Sequence, residues 1–286
     1  MQLRVASLTG FAAVVLLGIT ACGRGFEYEG GDGSTGPGTV EVEDCGSGAD
    51  TESGFNIAGT VVDLETGEPL ALADGDEPLC LVAVDPTPAI TGGEPEDLAA
   101  SSMCSDGTFL IAGIAEIPVI GVMVQVNECG EGEDTVMRTV TGVASDEFDG
   151  KSAGFTFEGV IAHSVSASYR DQMAADAEYE GDLELDGFLG GFVEDEAELP
   201  VSGATVTCGA CADTPTFYMD ANPDDGLFSD GAGFNETTDA DSNAMFMIPG
   251  AIITTYTCDD GGVHSWPGEL FGSLSGYGVF ISFTAE

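Results

Sequence analysis

Read for apolar and polar positions, the chain passes through three regimes. From Phe11 to Leu17 every residue is apolar, a run too short for a membrane-spanning helix, which needs ~20 residues. From Gly23 to about Gly54 apolar residues nearly vanish, and GGDGSTGPG and CGSGADTESG offer nothing to bury, as in a flexible tether. At Phe55 the pattern changes again. Short runs that alternate or stay apolar recur to the end: AGTVVD, LCLVAV, VIGVMVQV, TVMRTVTGV, GGFVED, AIITTYT and YGVFISF. Turn sequences such as ETGEP and SDGT separate them. This punctuation predicts short strands in an all-β sandwich architecture. One stretch breaks the period of two. In VSASYRDQMAADAEY, Val165, Tyr169, Met173 and Ala177 stand four residues apart, which predicts a short helix with one face packed on a sandwich or offered to a partner.

The strand pattern is written twice. FNIAGTVVDLETGEPL, followed later by SSMCSDGTFLIAGI, is matched by FLGGFVEDEAELPVSGATVTC, followed by TTDADSNAMFMIPGA. Gly59 aligns with Gly191, Val61 with Val193, Asp63 with Asp195, Pro69 with Pro200, Phe109 with Phe246 and Gly113 with Gly250. Such self-similarity marks one unit duplicated in tandem. The G-x-V-x-D opening with its turn to proline, and the later D-G-x-F-x-I-x-G, resemble carboxypeptidase regulatory-like and Cna-B-type domains. The resemblance implies two tandem prealbumin/Ig-like β-sandwiches of the kind used as stalk and accessory modules on bacterial surfaces. The expected layout is a signal at 1–21, a tether at 22–54, one sandwich at 55–145, a connector with a short helix at 146–180, and a second sandwich at 181–286. Cna-B-type domains often carry a Lys–Asn crosslink. Here the only lysine, Lys151, lies between the units, so that crosslink is excluded and disulfides are left to supply stiffness.

The first residues read as an export signal, with Arg4 ahead of the apolar run and small residues after it. Ile19-Thr20-Ala21-Cys22 resembles the lipobox of bacterial lipoproteins. That resemblance implies a diacylglycerol on the Cys22 sulfur, cleavage before it and an N-acyl chain on the new terminus. Gly23 in place of aspartate implies retention at the outer membrane, facing the periplasm or the exterior. The simpler reading is an ordinary secretory signal with a cysteine after its cleavage site. Acylation would be decisive for location, since each buried methylene contributes ~0.8 kcal/mol and two or more chains hold firmly where one does not.

Charge narrows the partners. The chain has 5 basic and 51 acidic residues, a formal net charge of −46, and the basic residues beyond the signal are Arg24, Arg138, Lys151 and Arg170. So few cations cannot neutralise a nucleic-acid backbone or hold anionic headgroups, so contact with a bilayer has to come through acyl chains. Hydrophobic residues still make up 43%, enough for a folded core. Carboxylates spread along the whole length favour solubility in a salty habitat over divalent-cation binding or an acidic display surface.

Eight cysteines in an exported chain point to disulfides. With Cys22 acylated, equivalent strands of the two units suggest Cys80–Cys129 and Cys208–Cys258. Cys45–Cys104 is a candidate third bridge, and Cys211 is left over. C-G-A-C at Cys208 to Cys211 follows a strand in an acidic setting, which favours a structural bridge over a redox pair. Zinc would need a second pair or histidines at ligand spacing. For catalysis little is on offer: His163 and His264 are the only histidines, and neither H-E-x-x-H nor G-x-S-x-G occurs. GKS at Gly150–Ser152 lacks the first glycine of a phosphate loop and follows three acids. His264 and Trp266 sit in a Gly/Pro-rich loop, where an aromatic either packs or, if exposed, contacts a glycan or partner.

Candidate calcium ligands are Asp220, Asn222, Asp224 and Asp225, with Asp239, Asp241 and Asn243 nearby, since they place oxygens at alternate positions. The EF-hand spacing fails, and a solvated acidic loop in an acidic protein is the favoured account of them. The function expected is a non-enzymatic, surface-anchored lipoprotein acting as a structural or binding module of the envelope. The alternatives are a calcium-stabilised adhesin or glycan-binding module, and an accessory subunit of an envelope complex with a protein partner.

Overall fold

The computed structural model describes residues 45, 50–73, 76–90, 92–129, 135–209, 214–222, 226–229 and 233–285. The signal, Cys22 and most of the expected tether lie outside them. In the first half the strands are β1 (Phe55–Asp63), β2 (Leu79–Asp85), β3 (Glu96–Ser102), β4 (Thr108–Ile114), β5 (Val122–Glu128), β6 (Val136–Met137), β7 (Thr139–Val143) and β8 (Thr156–Ser166), with one helical turn, α1 (Thr87–Ile90). The second half holds α2 (Ala167–Asp176), α3 (Leu183–Asp186), β9 (Phe188–Glu194), β10 (Thr205–Cys208), β11 (Phe217–Tyr218), β12 (Met245–Pro249), β13 (Thr254–Asp259), β14 (Glu269–Phe271) and β15 (Gly278–Thr284).

Alternation explains the first sandwich. Ile57 and Val61 of β1, Leu81 and Ala83 of β2, and Val124 and Val126 of β5 are fully buried while most of their neighbours are not, Asn56 and Val84 beside register shifts being the exceptions. The sheet β4-β1-β8-β6 faces β3-β2-β5-β7 across this core, with Phe109, Ile111 and Met103 filling it. The second half repeats the plan. β9 pairs antiparallel with β12 and parallel with β15, as β1 does with β4 and β8. β10 pairs with β13 as β2 does with β5.

The repeat seen in the sequence is therefore a repeat of pairing register. Gly59 stands opposite Phe109 and Gly191 opposite Phe246. A Cβ at Gly59 would lie 2.9 Å from the Phe109 ring and 2.0 Å from the Val160 carbonyl oxygen. At Gly191 it would lie 2.8 Å from the Phe246 ring and 2.7 Å from the Ile281 carbonyl oxygen. Only glycine lets the phenylalanine lie across the strand while the parallel neighbour closes in. The aspartate of G-x-V-x-D holds the turn that follows: the Thr66 N–H donates to Asp63 Oδ1 (3.0 Å), and the Ala197 and Leu199 N–H groups donate to Asp195 Oδ1 (2.7 and 3.0 Å). Proline closes it through the bridges Val62–Pro69 and Glu194–Pro200.

The relation between the halves departs from the tandem layout. β15 pairs parallel with β7 as well as β9, so strands of both halves form one eight-stranded sheet, β11-β12-β9-β15-β7-β5-β2-β3. The described residues belong to one compact unit. Nor is 146–180 a connector. Its β8 runs parallel to β1 along that strand's length and completes the first sandwich. The expected boundary fails because this pairing joins residues about 100 positions apart, which no local periodicity reveals. The expected helix is present as α2, capped where the Tyr169 N–H donates to Ser166 Oγ (3.1 Å). Of the expected stripe, Tyr169 and Met173 lie in α2, Val165 belongs to β8 and Ala177 caps the helix; all four are buried, against Phe188, Met245, Met247 and Phe280. α2 thus covers the outer face of the β9–β12–β15 sheet, which is why β9 reads as a nearly continuous apolar run.

His163 of β8 sits at this junction. Its ring lies 4.5 Å from Phe280 and 5.2 Å from Phe192, and its Nδ1 has no hydrogen-bond partner. Burial pushes its pKa down from 6.5 to about 4. As pH falls below 6.5 the unfolded chain takes up the proton first, so this contribution to stability is complete above pH 6.5 and is lost toward pH 4. Between pH 7 and 4.5 the wild type should lose about 2–3 kcal/mol more unfolding free energy than His163→Leu. Urea titrations across that range check this, and parallel curves for the two proteins would refute it.

Candidate functional site

The described cysteines carry most of the covalent information. Cys45 is bonded to Cys104 with Cα atoms 5.1 Å apart, and Cys80 to Cys129 at 4.8 Å. Cys104 sits in the tight turn between β3 and β4. There the Cys104 N–H donates to the Thr108 carbonyl (2.8 Å) and the Gly107 N–H to the Cys104 carbonyl (3.0 Å). Asp106 fixes the same turn, accepting from the Thr108 hydroxyl (2.6 Å) and N–H (3.0 Å), and these bonds hold its carboxyl below its ordinary pKa. The S-D-G-T sequence therefore builds a rigid seat for the residue that receives Cys45. Cys80 points to the outer face of β2, and Cys129 lies just past the end of β5, where the chain leaves the ladder.

The expected Cys208–Cys258 bridge is not formed. Cys258 is a buried free thiol, while Cys208 is disulfide-bonded elsewhere. The strands are equivalent to β2 and β5, but the two cysteines are out of register with each other. Cys258 points into the core directly opposite Val206, and Cys208 stands opposite Tyr256, two residues along the ladder on the same face. Diagonal positions within a ladder stand ~7–8 Å apart, beyond ordinary disulfide reach. Burial, aided by Asp260 and Asp259, pushes the Cys258 thiol up to about 12.

The acidic loops use their described carboxylates as caps. Asp220 accepts from the Asn222 N–H (2.6 Å) and the Asn235 amide (3.1 Å), and Asp239 accepts from the Asp241 N–H (3.1 Å). Asn243 takes a left-handed conformation that ends this turn. Ser242 Oγ donates to the Met219 carbonyl (2.9 Å), which ties the two loops together. Asp224 and Asp225 lie outside the described residues. Among the described residues, no group of three or more acidic, His or Cys side chains is placed to hold a metal.

Trp266 is a core residue, not an exposed contact. It is 8% exposed, packs with Leu189, Val193 and Phe246, and donates from Nε1 to the Glu194 carbonyl (3.2 Å). His264 stands over it at 5.4 Å and pairs through Nδ1 with Asp260 Oδ2 (2.7 Å). The described Arg and Lys side chains are engaged too. Arg170 bridges Asp171 (2.8 Å) and Glu184 (2.6 Å), Arg138 lies over Tyr277, and Lys151 lies over Phe155. The GKS lysine is thus a packing residue. Sequence reasoning passed over the Cys104 turn as an attachment seat, although its S-D-G-T signal was visible. It also passed over the junction role of His163, for which the sequence held no signal.

No family model matches the chain, and no curated protein matches it. Among solved structures it is similar to a double mutant of shaft pilin SpaA from Lactobacillus rhamnosus GG, at 9% identity over 81% of this chain and 97% of that one, TM-score 0.23. A streptococcal ancillary pilin gives 10% identity over 83% and 64%, TM-score 0.21. A family CBM26 module from Eubacterium rectale Amy13K, solved with maltoheptaose, gives 7% identity over 81% and 93%, TM-score 0.26. At such scores these likenesses assign neither family nor function, and the architecture rests on the pairing described above.

Iodoacetamide should label Cys258 only after the protein is unfolded in denaturant without reductant, as located by peptide mapping. Recovery of a Cys208–Cys258 crosslinked peptide from the native protein would overturn this assignment.

Proposed function

We propose that the chain is a bacterial envelope lipoprotein, held at the outer membrane by acyl chains on Cys22 and serving as a non-enzymatic structural or binding module. On this reading its two halves are diverged members of the carboxypeptidase regulatory-like and Cna-B-type sandwiches, in which disulfides replace the missing Lys–Asn crosslink. The observation that carries the reading is the Cys45–Cys104 bond. It fastens the chain that follows the lipobox directly onto the first sandwich, an expense that makes sense where the N-terminal side is an attachment. The described histidines and cations support it, because each is occupied in packing or ion pairing and none is poised beside a nucleophile. Among the described residues no helix is long and apolar enough to cross a membrane, and the acidic surface disfavours anionic headgroups, so the acyl chains would do the holding.

The test is the mature N-terminus. Mass spectrometry of protein purified from its native envelope should find Cys22 as the first residue bearing diacylglycerol and an N-acyl chain, and Cys22→Ser should move the protein to the soluble fraction. An unacylated terminus, or a serine variant that still fractionates with membranes, would contradict the proposal.

A further inference from the structure

The two bonds of the first sandwich interleave: Cys80 lies inside the loop closed by Cys45 and Cys104, and Cys129 lies outside it. That loop spans a sequence separation of 59 and contains β1, β2 and β3. β1 lies in the interior of its sheet, pairing antiparallel with β4 and parallel with β8, and its Ile57 and Val61 are fully buried. Were the N-terminal segment joined to the fold only through the backbone, tension along it would arrive at Phe55 and peel β1 out of the core.

The geometry points to Cys45–Cys104 as a load-diverting bond that moves the mechanical attachment point from β1 to the β3–β4 turn. This deepens the reading of the chain as a tethered module and rests on it. Tension arriving at Cys45 crosses the sulfur atoms to Cys104, so β1 leaves the force path. Cys104 is suited to receive it, because its turn is closed by two backbone hydrogen bonds and by the Asp106 carboxylate. From Cys104 the load continues by two routes of nearly equal length. One runs forward through β4 and β5 to Cys129. The other runs back through β3 to Cys80 and across the second bond. The second bond therefore adds a parallel route without shortening the first. It also ties the sheltered segment to the end of β5.

Single-molecule pulling with handles at residues 23 and 286 tests this. The handles stand in for the membrane, so a failure of acylation at Cys22 leaves the readout untouched. The oxidised Cys80→Ala/Cys129→Ala variant should release the same contour length as the wild type. Adding Cys45→Ala and Cys104→Ala to it should lengthen full extension by about 200 Å, which is 59 residues at ~3.4 Å each, and should lower the force of the first unfolding event. If that fourfold variant does not fold, reductant added to the twofold variant supplies the same comparison. An unchanged length overturns the proposal, and so does a lengthening in which the first unfolding force stays the same.

Discussion

The parallel ladder between β7 and β15 is the contact on which the rest of the molecule depends. In isolation β7 would be the edge of the first sandwich and β15 the edge of the second, each with a row of unpaired backbone groups open to another chain. Pairing them satisfies both edges and lets Val140 of β7 join the core of the second half. On the opposite face His163, Phe192 and Phe280 stack across the same seam. A parallel pair is slightly weaker per residue than an antiparallel one, so the packing on both faces is what gives the seam its strength. Gly278 begins the ladder with the Phe188 ring 2.8 Å from where a Cβ would stand.

Around that seam, a duplicated unit has been used for two purposes. Both copies keep the glycine–phenylalanine crossing, the aspartate-held turn and the closing proline, because each solves a backbone problem that every such unit shares. What differs is on the faces. The first copy carries its cysteines outward or beyond the ladder, and they are bonded. In the second copy Cys258 turns into the core and stays a thiol, and its outer sheet face is clothed by α2. With the described cations all engaged by acids or rings, the remaining surface is dominated by carboxylate. That favours a module that stays soluble and resists adhering to phosphate or to anionic lipid.

What could be read from the sequence was whatever is local. Apolar alternation located β1, β2, β5 and β9, the four-residue stripe located α2, and the aligned glycines and phenylalanines were partners in register. Non-local facts were not legible. The period of β8 is ordinary, but its partner β1 lies about 100 residues away, so it read as part of a connector. The β7–β15 seam left no trace in either strand, since a strand buried at a seam and one buried in a single sandwich share the same pattern. The Cys208–Cys258 expectation failed on register: equivalent strands were identified and both residues share a face, but Cys208 stands opposite Tyr256, two residues from Cys258. The packing reading of Trp266 holds, but its hydrogen-bond partner, the Glu194 carbonyl, lies at the other end of the second half and could not be named from the sequence.

If the seam makes the two halves one body, they must melt together. Calorimetry of the oxidised protein tests this most directly. The account predicts a single transition whose calorimetric and van't Hoff enthalpies agree. Two resolved transitions, or a calorimetric enthalpy well above the van't Hoff value, would mean that the halves unfold independently and that the shared sheet does not govern the fold.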